Sequence, residues 1–119
     1  MALTSEQKET LLEEVKAFLN ITWQDESTNT KIMNFINSSI SRLNAIAGLD
    51  LDYSLTDDTL SKYEKQANQM GKELLLVRCF YLNEKAHDDF EENYKRELLS
   101  LSRKGRVINR IKELENHAP

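Results

Sequence analysis

One cysteine, two histidines and a basic segment near the C-terminus hold most of the reactive or charge-selective chemistry available to this 119-residue chain. Cys79 lies between Arg78 and Phe80, beside an apolar stripe. A nucleophilic thiol needs a base within hydrogen-bond reach, and free cysteine is among the most buried residue types, so Cys79 is expected to be a core thiol. Being single, it has no intramolecular disulfide partner. His87 and Glu91 share the i, i+4 spacing of two ligands on one helix face, but two ligands do not complete a metal site, and His117 stands in the terminal segment. Asp50-Leu51-Asp52-Tyr53-Ser54 superficially matches the oxygen spacing that opens a calcium loop. The place that needs Gly is Leu55 and the place that needs a bidentate Glu is Ser61, so the segment reads as a solvated loop. There is no Gly-rich phosphate loop, no Gly-x-Ser-x-Gly and no His-Glu-x-x-His. The expectation is a protein that is not an enzyme, with no catalytic residue, no metal and no cofactor.

Charge distribution is more informative. The formal charge is −4 and the pI about 5.2, which argues against a protein that coats nucleic acid, because non-specific affinity for phosphates comes from clustered Lys and Arg. Residues 1–94 carry a net −8, residues 95–112 a net +6, and residues 113–119 a net −2. Lys95, Arg96, Arg103, Lys104, Arg106, Arg110 and Lys112 form the basic stretch. It reads either as a solvated helix face with cations favoured near a helix C-terminus, or as a surface for phosphate or for an acidic protein.

These residues need elements to position them, and the composition points to helices. Three Gly and one terminal Pro leave little to punctuate strands, while Leu, Ile, Val and Phe number 31 and are enough for a core. No apolar run approaches a membrane span or a signal-peptide core. Thr4-Ser5-Glu6-Gln7 has the form of a capping box, followed by the stripe Leu11, Leu12, Val15, Phe18 and Leu19, with Lys16 off it. Asp25 to Thr28 offers caps for a second helix whose buried face is Ile32, Phe35, Ile36, Ile40, Leu43 and Ala47, ending at Gly48. Trp23 and Tyr53, in the flanking connectors, are expected to anchor them to the core. Thr56-Asp57-Asp58 restarts the helix, and Leu60, Tyr63, Ala67, Met70, Leu74, Val77 and Tyr81 form a seam spaced by three and four. Gly71 within it suggests close backbone approach or a kink. A fourth stripe, Phe90, Tyr94, Leu98 and Leu101, ends before Gly105, which is expected to interrupt the helix. The pattern predicts helices over 5–20, 26–47, 57–83 and 88–102, packed as a small all-α four-helix bundle. Residues 103–119 then form a separate, flexible, basic amphipathic docking tail, too short to be a stable helix alone. Its docking residues are Arg103, Lys104, Arg106, Val107, Ile108, Arg110, Ile111, Lys112 and Leu114.

The segment Leu74-Leu75-Leu76-Val77-Arg78-Cys79-Phe80-Tyr81-Leu82-Asn83, followed by Asp89-Phe90-Glu91-Glu92-Asn93-Tyr94-Lys95-Arg96-Glu97-Leu98-Leu99-Ser100-Leu101, resembles the C-terminal half of tailed-phage head-tail connector proteins, also called head-completion or adaptor proteins. Val15-Lys16-x-Phe18-Leu19, then Ile21-Thr22-Trp23 and an acidic helix start, resembles their N-terminal half. The resemblance covers roughly residues 3–101. It implies a homo-oligomeric ring, usually of twelve subunits, beneath the portal protein after DNA packaging. It implies a tunnel through which double-stranded DNA passes without specific binding, and a platform for a neck, stopper or tail-completion protein. It places the protein in the host cytoplasm during assembly and then in the virion neck, with no membrane partner. Two other classes compete. A small helical DNA-binding module, a regulator or terminase-like recognition protein, would use residues 95–112 on phosphates and bind with steep salt dependence. A cytosolic helical adaptor would have no viral role.

Overall fold

The computed structural model describes residues 3–116, apart from the side chain of His87. The metal-ligand reading of His87 and His117 therefore lies outside the described residues. Within them are five helices and no strand: α1 (Ser5–Phe18), α2 (Glu26–Ala47), α3 (Lys62–Asn83), α4 (His87–Asn93) and α5 (Lys95–Asn116). The all-α expectation holds, with one helix more than the sequence pattern suggested.

The first two helices begin as their sequences dictate and α2 ends so, whereas α1 stops at Phe18, short of the expected residue 20. The Thr4 hydroxyl accepts the Gln7 N–H at 3.1 Å while the Gln7 side chain accepts the Thr4 N–H at 2.9 Å, so α1 opens on a reciprocal capping box. Asp25 caps α2 by accepting the Thr28 N–H at 2.8 Å, and Gly48 closes it in the left-handed conformation at φ 73°. The start of α3 needs correction. It begins at Lys62 and not at residue 57, because Asp57 accepts the Thr59 N–H at 2.9 Å and closes a local turn, leaving Ser61 and Glu64 to form the capping box. The connector before it is irregular yet fixed. Tyr53 is buried and donates its hydroxyl to Asn44 Oδ1 at 2.8 Å, and the Asp52 N–H donates to Asn68 Oδ1 at 2.9 Å. Tyr53 thus anchors as expected. Trp23 does so only by its edge: its indole N–H reaches Thr28 Oγ1 at 2.9 Å while the ring stays 55% exposed.

Helices α2 and α3 form the central pair. α1 packs along one edge of that pair and α5 along the other, each touching both central helices and not each other, in a slab of 55 × 32 × 17 Å. Because α3 is covered by α1, α2 and α5, its buried arc is broader than a two-helix seam. Ala67, Asn68, Gly71, Leu74, Leu75, Arg78 and Cys79 are inside, whereas Tyr63, expected in the seam, is exposed. Gly71 answers the close-approach reading: a Cβ there would stand 2.7 Å from Leu51 Cδ1.

The C-terminal third departs most from expectation. The predicted helix over 88–102 is split at Tyr94, whose φ of −109° bends the chain while Leu98 N–H still reaches the Tyr94 carbonyl at 2.9 Å. Phe90 and Tyr94 stack at 5.3 Å, and Tyr81 meets both rings edge-on, so an aromatic cluster sets this bend. Beyond it α5 runs unbroken through Gly105 to Asn116. The expected interruption at Gly105 is absent, for a steric reason. A Cβ at residue 105 would lie 1.8 Å from the Ala47 carbonyl oxygen, so Gly105 is the point where α5 presses against the last turn of α2. Residues 103–116 need no independent nucleation, because they extend a helix already formed.

Candidate functional site

Helix α5 divides its residues between two opposite tasks. Leu98, Leu101, Gly105 and Ile108 point inward and are buried. On the other side Arg96, Leu99, Arg103, Arg106, Val107, Arg110 and Leu114 recur at spacings of three and four, all exposed. A helix repeats its face every 3.6 residues, so this set is one continuous stripe along the helix. Leu99, Val107 and Leu114 are 47%, 48% and 57% exposed, a large apolar content for a surface helix of a small domain. Arg96, Arg103 and Arg106 make no hydrogen bond or ion pair among the described residues; Arg110 meets Glu113 at 3.7 Å, both well exposed, a weak contact.

The nine residues expected to dock are therefore divided. Arg103, Arg106, Val107, Arg110 and Leu114 lie on the outer stripe. Ile108, 3% exposed, is committed to the core, and Ile111 is half-buried. Lys112 approaches Glu64 on α3 at 3.5 Å. Lys104 is half-buried and, with Tyr63, Gln66, Ser100, Arg103 and Val107, lines a shallow groove of about 270 Å³ between α3 and α5. No carboxylate lines this groove, so its edge is positively charged.

Two buried cations escaped the sequence pattern. Lys16, placed off the α1 stripe, is 1% exposed, and its Nζ donates to Gln24 Oε1 at 3.1 Å and Asn29 Oδ1 at 2.8 Å, tying the end of α1 to the start of α2. Phe18, placed on that stripe, is exposed instead. Arg78 is buried on α3 and donates from one nitrogen to the Ser38 and Ser39 hydroxyls at 3.2 and 3.0 Å. Arg42 and Glu91, in contact at 2.6 Å, lie toward the surface beyond it. Polar side chains at Gln24, Asn29, Ser38 and Ser39 were the available signal, since a buried cation needs acceptors.

Cys79 is fully buried beside Ser39, Sγ to Oγ 3.8 Å, as expected of a core thiol. Burial pushes its pKa up to about 11, against the smaller opposing effects of the Ser39 contact and the Arg78 charge. A thiol so held is a poor nucleophile. The acidic connector is organised by its own chain: Asp52 accepts the Ser54 N–H at 3.1 Å and the Asp57 N–H at 3.4 Å. Among the described residues no three His, Cys, Asp or Glu side chains stand close enough to hold a metal, and no helix is long and apolar enough to cross a membrane.

Residues 11–106, most of the chain, match the family model described as phage connector protein. No curated protein and no solved structure gives a significant match.

Proposed function

Because the chain belongs to the phage connector protein family, we propose that it forms a ring under the portal once the genome is packaged, continues the DNA tunnel and presents the attachment surface for the next neck or tail protein. The family is structural and not enzymatic. The observation that carries the finer reading is the outer stripe of α5, where exposed arginines, of which only Arg110 has an ion-pair partner among the described residues, alternate with exposed apolar residues. A solvated face would not hold Leu99, Val107 and Leu114 in line with four arginines; a docking face uses both, the charges for encounter and the apolar area for lifetime.

The segment 103–119 is the docking segment of this proposal, through Arg103, Arg106, Val107, Arg110 and Leu114. An acidic body, net −8 over residues 1–94, suits a conduit that must let DNA slide. The alternative, a DNA-binding module, would also use the arginines, but phosphates offer nothing to the apolar residues between them. The test is head completion. Purified protein added to DNA-filled, portal-bearing heads that lack it should sediment with them and permit tail joining. Failure to associate with such heads would refute the connector reading.

A further inference from the structure

The outer stripe of α5 has a counterpart on the same chain. Glu6, Glu9 and Glu13 occupy one exposed face of α1, and the one basic residue at that spacing, Lys16, is buried. None of the three makes an ion pair among the described residues; the one α1 carboxylate that does, Glu14, turns inward to Lys72 on α3. At the C-terminal end of α1, Phe18 and Trp23 are 45% and 55% exposed. Phe18, five residues past Glu13, stands on another side of the helix, so this edge of the molecule is acidic. The other is rich in arginine with interspersed Leu and Val.

The two edges lie on opposite sides of α2, whose Ile40 and Asn44 line a groove with Lys8 of α1 while Arg42 and Ile46 line one with Leu98 and Leu99 of α5, and the two outer helices do not touch. They cannot meet within one chain. Two different, mutually complementary surfaces on opposite sides of a subunit define a head-to-tail contact, which closes into a ring when the rotation between copies allows. We infer that the occupant of the α5 outer stripe is the α1 edge of a second copy of this chain, with Glu6, Glu9 and Glu13 facing Arg103, Arg106 and Arg110. This assignment rests on the proposed ring and specifies which faces make it. It differs from a DNA role because the acidic edge could only repel phosphate, and from a symmetric dimer because neither face is complementary to itself.

The experiment uses the full chain with charges reversed in pairs. In wild type, sedimentation velocity at low ionic strength should show self-association that weakens as salt rises, because exposed charges are screened over about 10 Å at 0.1 M. Arg103→Glu with Arg106→Glu, and separately Glu9→Lys with Glu13→Lys, should each weaken self-association about tenfold or more. Mixing the two variants should restore it, since every contact in an alternating assembly then regains opposite charges. Helical circular dichroism must match wild type in both, which the exposed positions favour. A wild-type chain that stays monomeric throughout, a mixture no better than its components, or variants that associate like wild type would each overturn the assignment. So would loss of salt-dependent binding to a double-stranded oligonucleotide in the arginine variant with self-association intact. Head completion separates this from the broader reading. If reversal and rescue occur but wild type fails to join heads, the interface stands and the connector role falls. If each variant alone completes heads like wild type, the interface falls and the connector role stands.

Discussion

The inner and outer faces of α5 are built on one backbone and obey different constraints. Inward, Gly105 and Ile108 have no freedom: one is touched by the Ala47 carbonyl and the other is enclosed by the core. Outward, Arg103, Arg106 and Val107 touch little that the fold requires. The contrast separates what folding demands from what it leaves available for association. A residue whose loss would not disturb the fold, yet whose chemistry is costly to expose, is a candidate for a partner.

The comparison is tested most severely at Gly105. Gly105→Ala should destabilise the protein by about 3 kcal/mol or more, read from urea unfolding, because the clash is with backbone that no rotamer change relieves. Gly71→Ala is its control. There the nearest atom is the flexible end of Leu51, and the helix gains about 1 kcal/mol of propensity, so the net change should stay within about 1 kcal/mol. If the two substitutions cost the same, the close approach of α5 to α2 is wrong.

Ile108→Ala follows at about 3 kcal/mol, the usual range for emptying an enclosed aliphatic site. Removal of residues 103–119 should cost at least as much, since it takes Ile108 and the Gly105 contact together. A truncated chain as stable as wild type would show that the inner face past Ser102 contributes nothing to the core.

Cys79 extends the test to pH. Its pKa, raised by burial from an ordinary 9.0 to about 11, means the folded state favours the neutral thiol. The associated stability is fully present below pH 9.0 and is lost as pH rises through about 11, amounting to about 2–3 kcal/mol. Tyr53, also raised by burial and by the Asp50 charge, acts with the same sign at higher pH. Unfolding followed between pH 9 and 11 should show this loss in wild type and a flatter profile in Cys79→Ala. A thiol reagent should label the folded protein far more slowly than the denatured chain. Equal labelling rates would place the thiol at the surface.

Much of this was legible in the sequence, for reasons specific to each element. Thr4 with Gln7, and Asp25 before Thr28, are local signals acting within one helical turn, so α1 and α2 begin where their residues say. Gly105 was ambiguous because the same residue type ends a helix or admits a neighbour, and only the tertiary position of Ala47 decides. Lys16 and Arg78 were hidden for a similar reason. Their acceptors come from Gln24, Asn29, Ser38 and Ser39, which are distant in sequence or on another helix, and charge alone argues for exposure. The basic stretch was visible as composition. Its division into a core-facing row and an outward stripe depended on α5 continuing past residue 102, which the glycine obscured.

The smallest effect on folding belongs to the outer apolar residues, and its smallness is the point. Leu99, Val107 and Leu114 are about half exposed, so each already keeps much of its surface in water in the folded chain. Replacing Leu99 and Leu114 with Gln and Val107 with Thr should change unfolding free energy by no more than about 0.5 kcal/mol at each site. Leu and Gln have similar helix propensity, so α5 itself is not weakened at those two positions. The midpoint and the denaturant slope of the triple variant should therefore remain close to wild type. Self-association, and with it the ring that joins portal-bearing heads, should weaken, because the arginines still direct the encounter between copies but the apolar area that prolongs it is gone. A substantial loss of stability would instead assign these side chains to the subunit's own fold, and the two faces of α5 would no longer be distinct in kind.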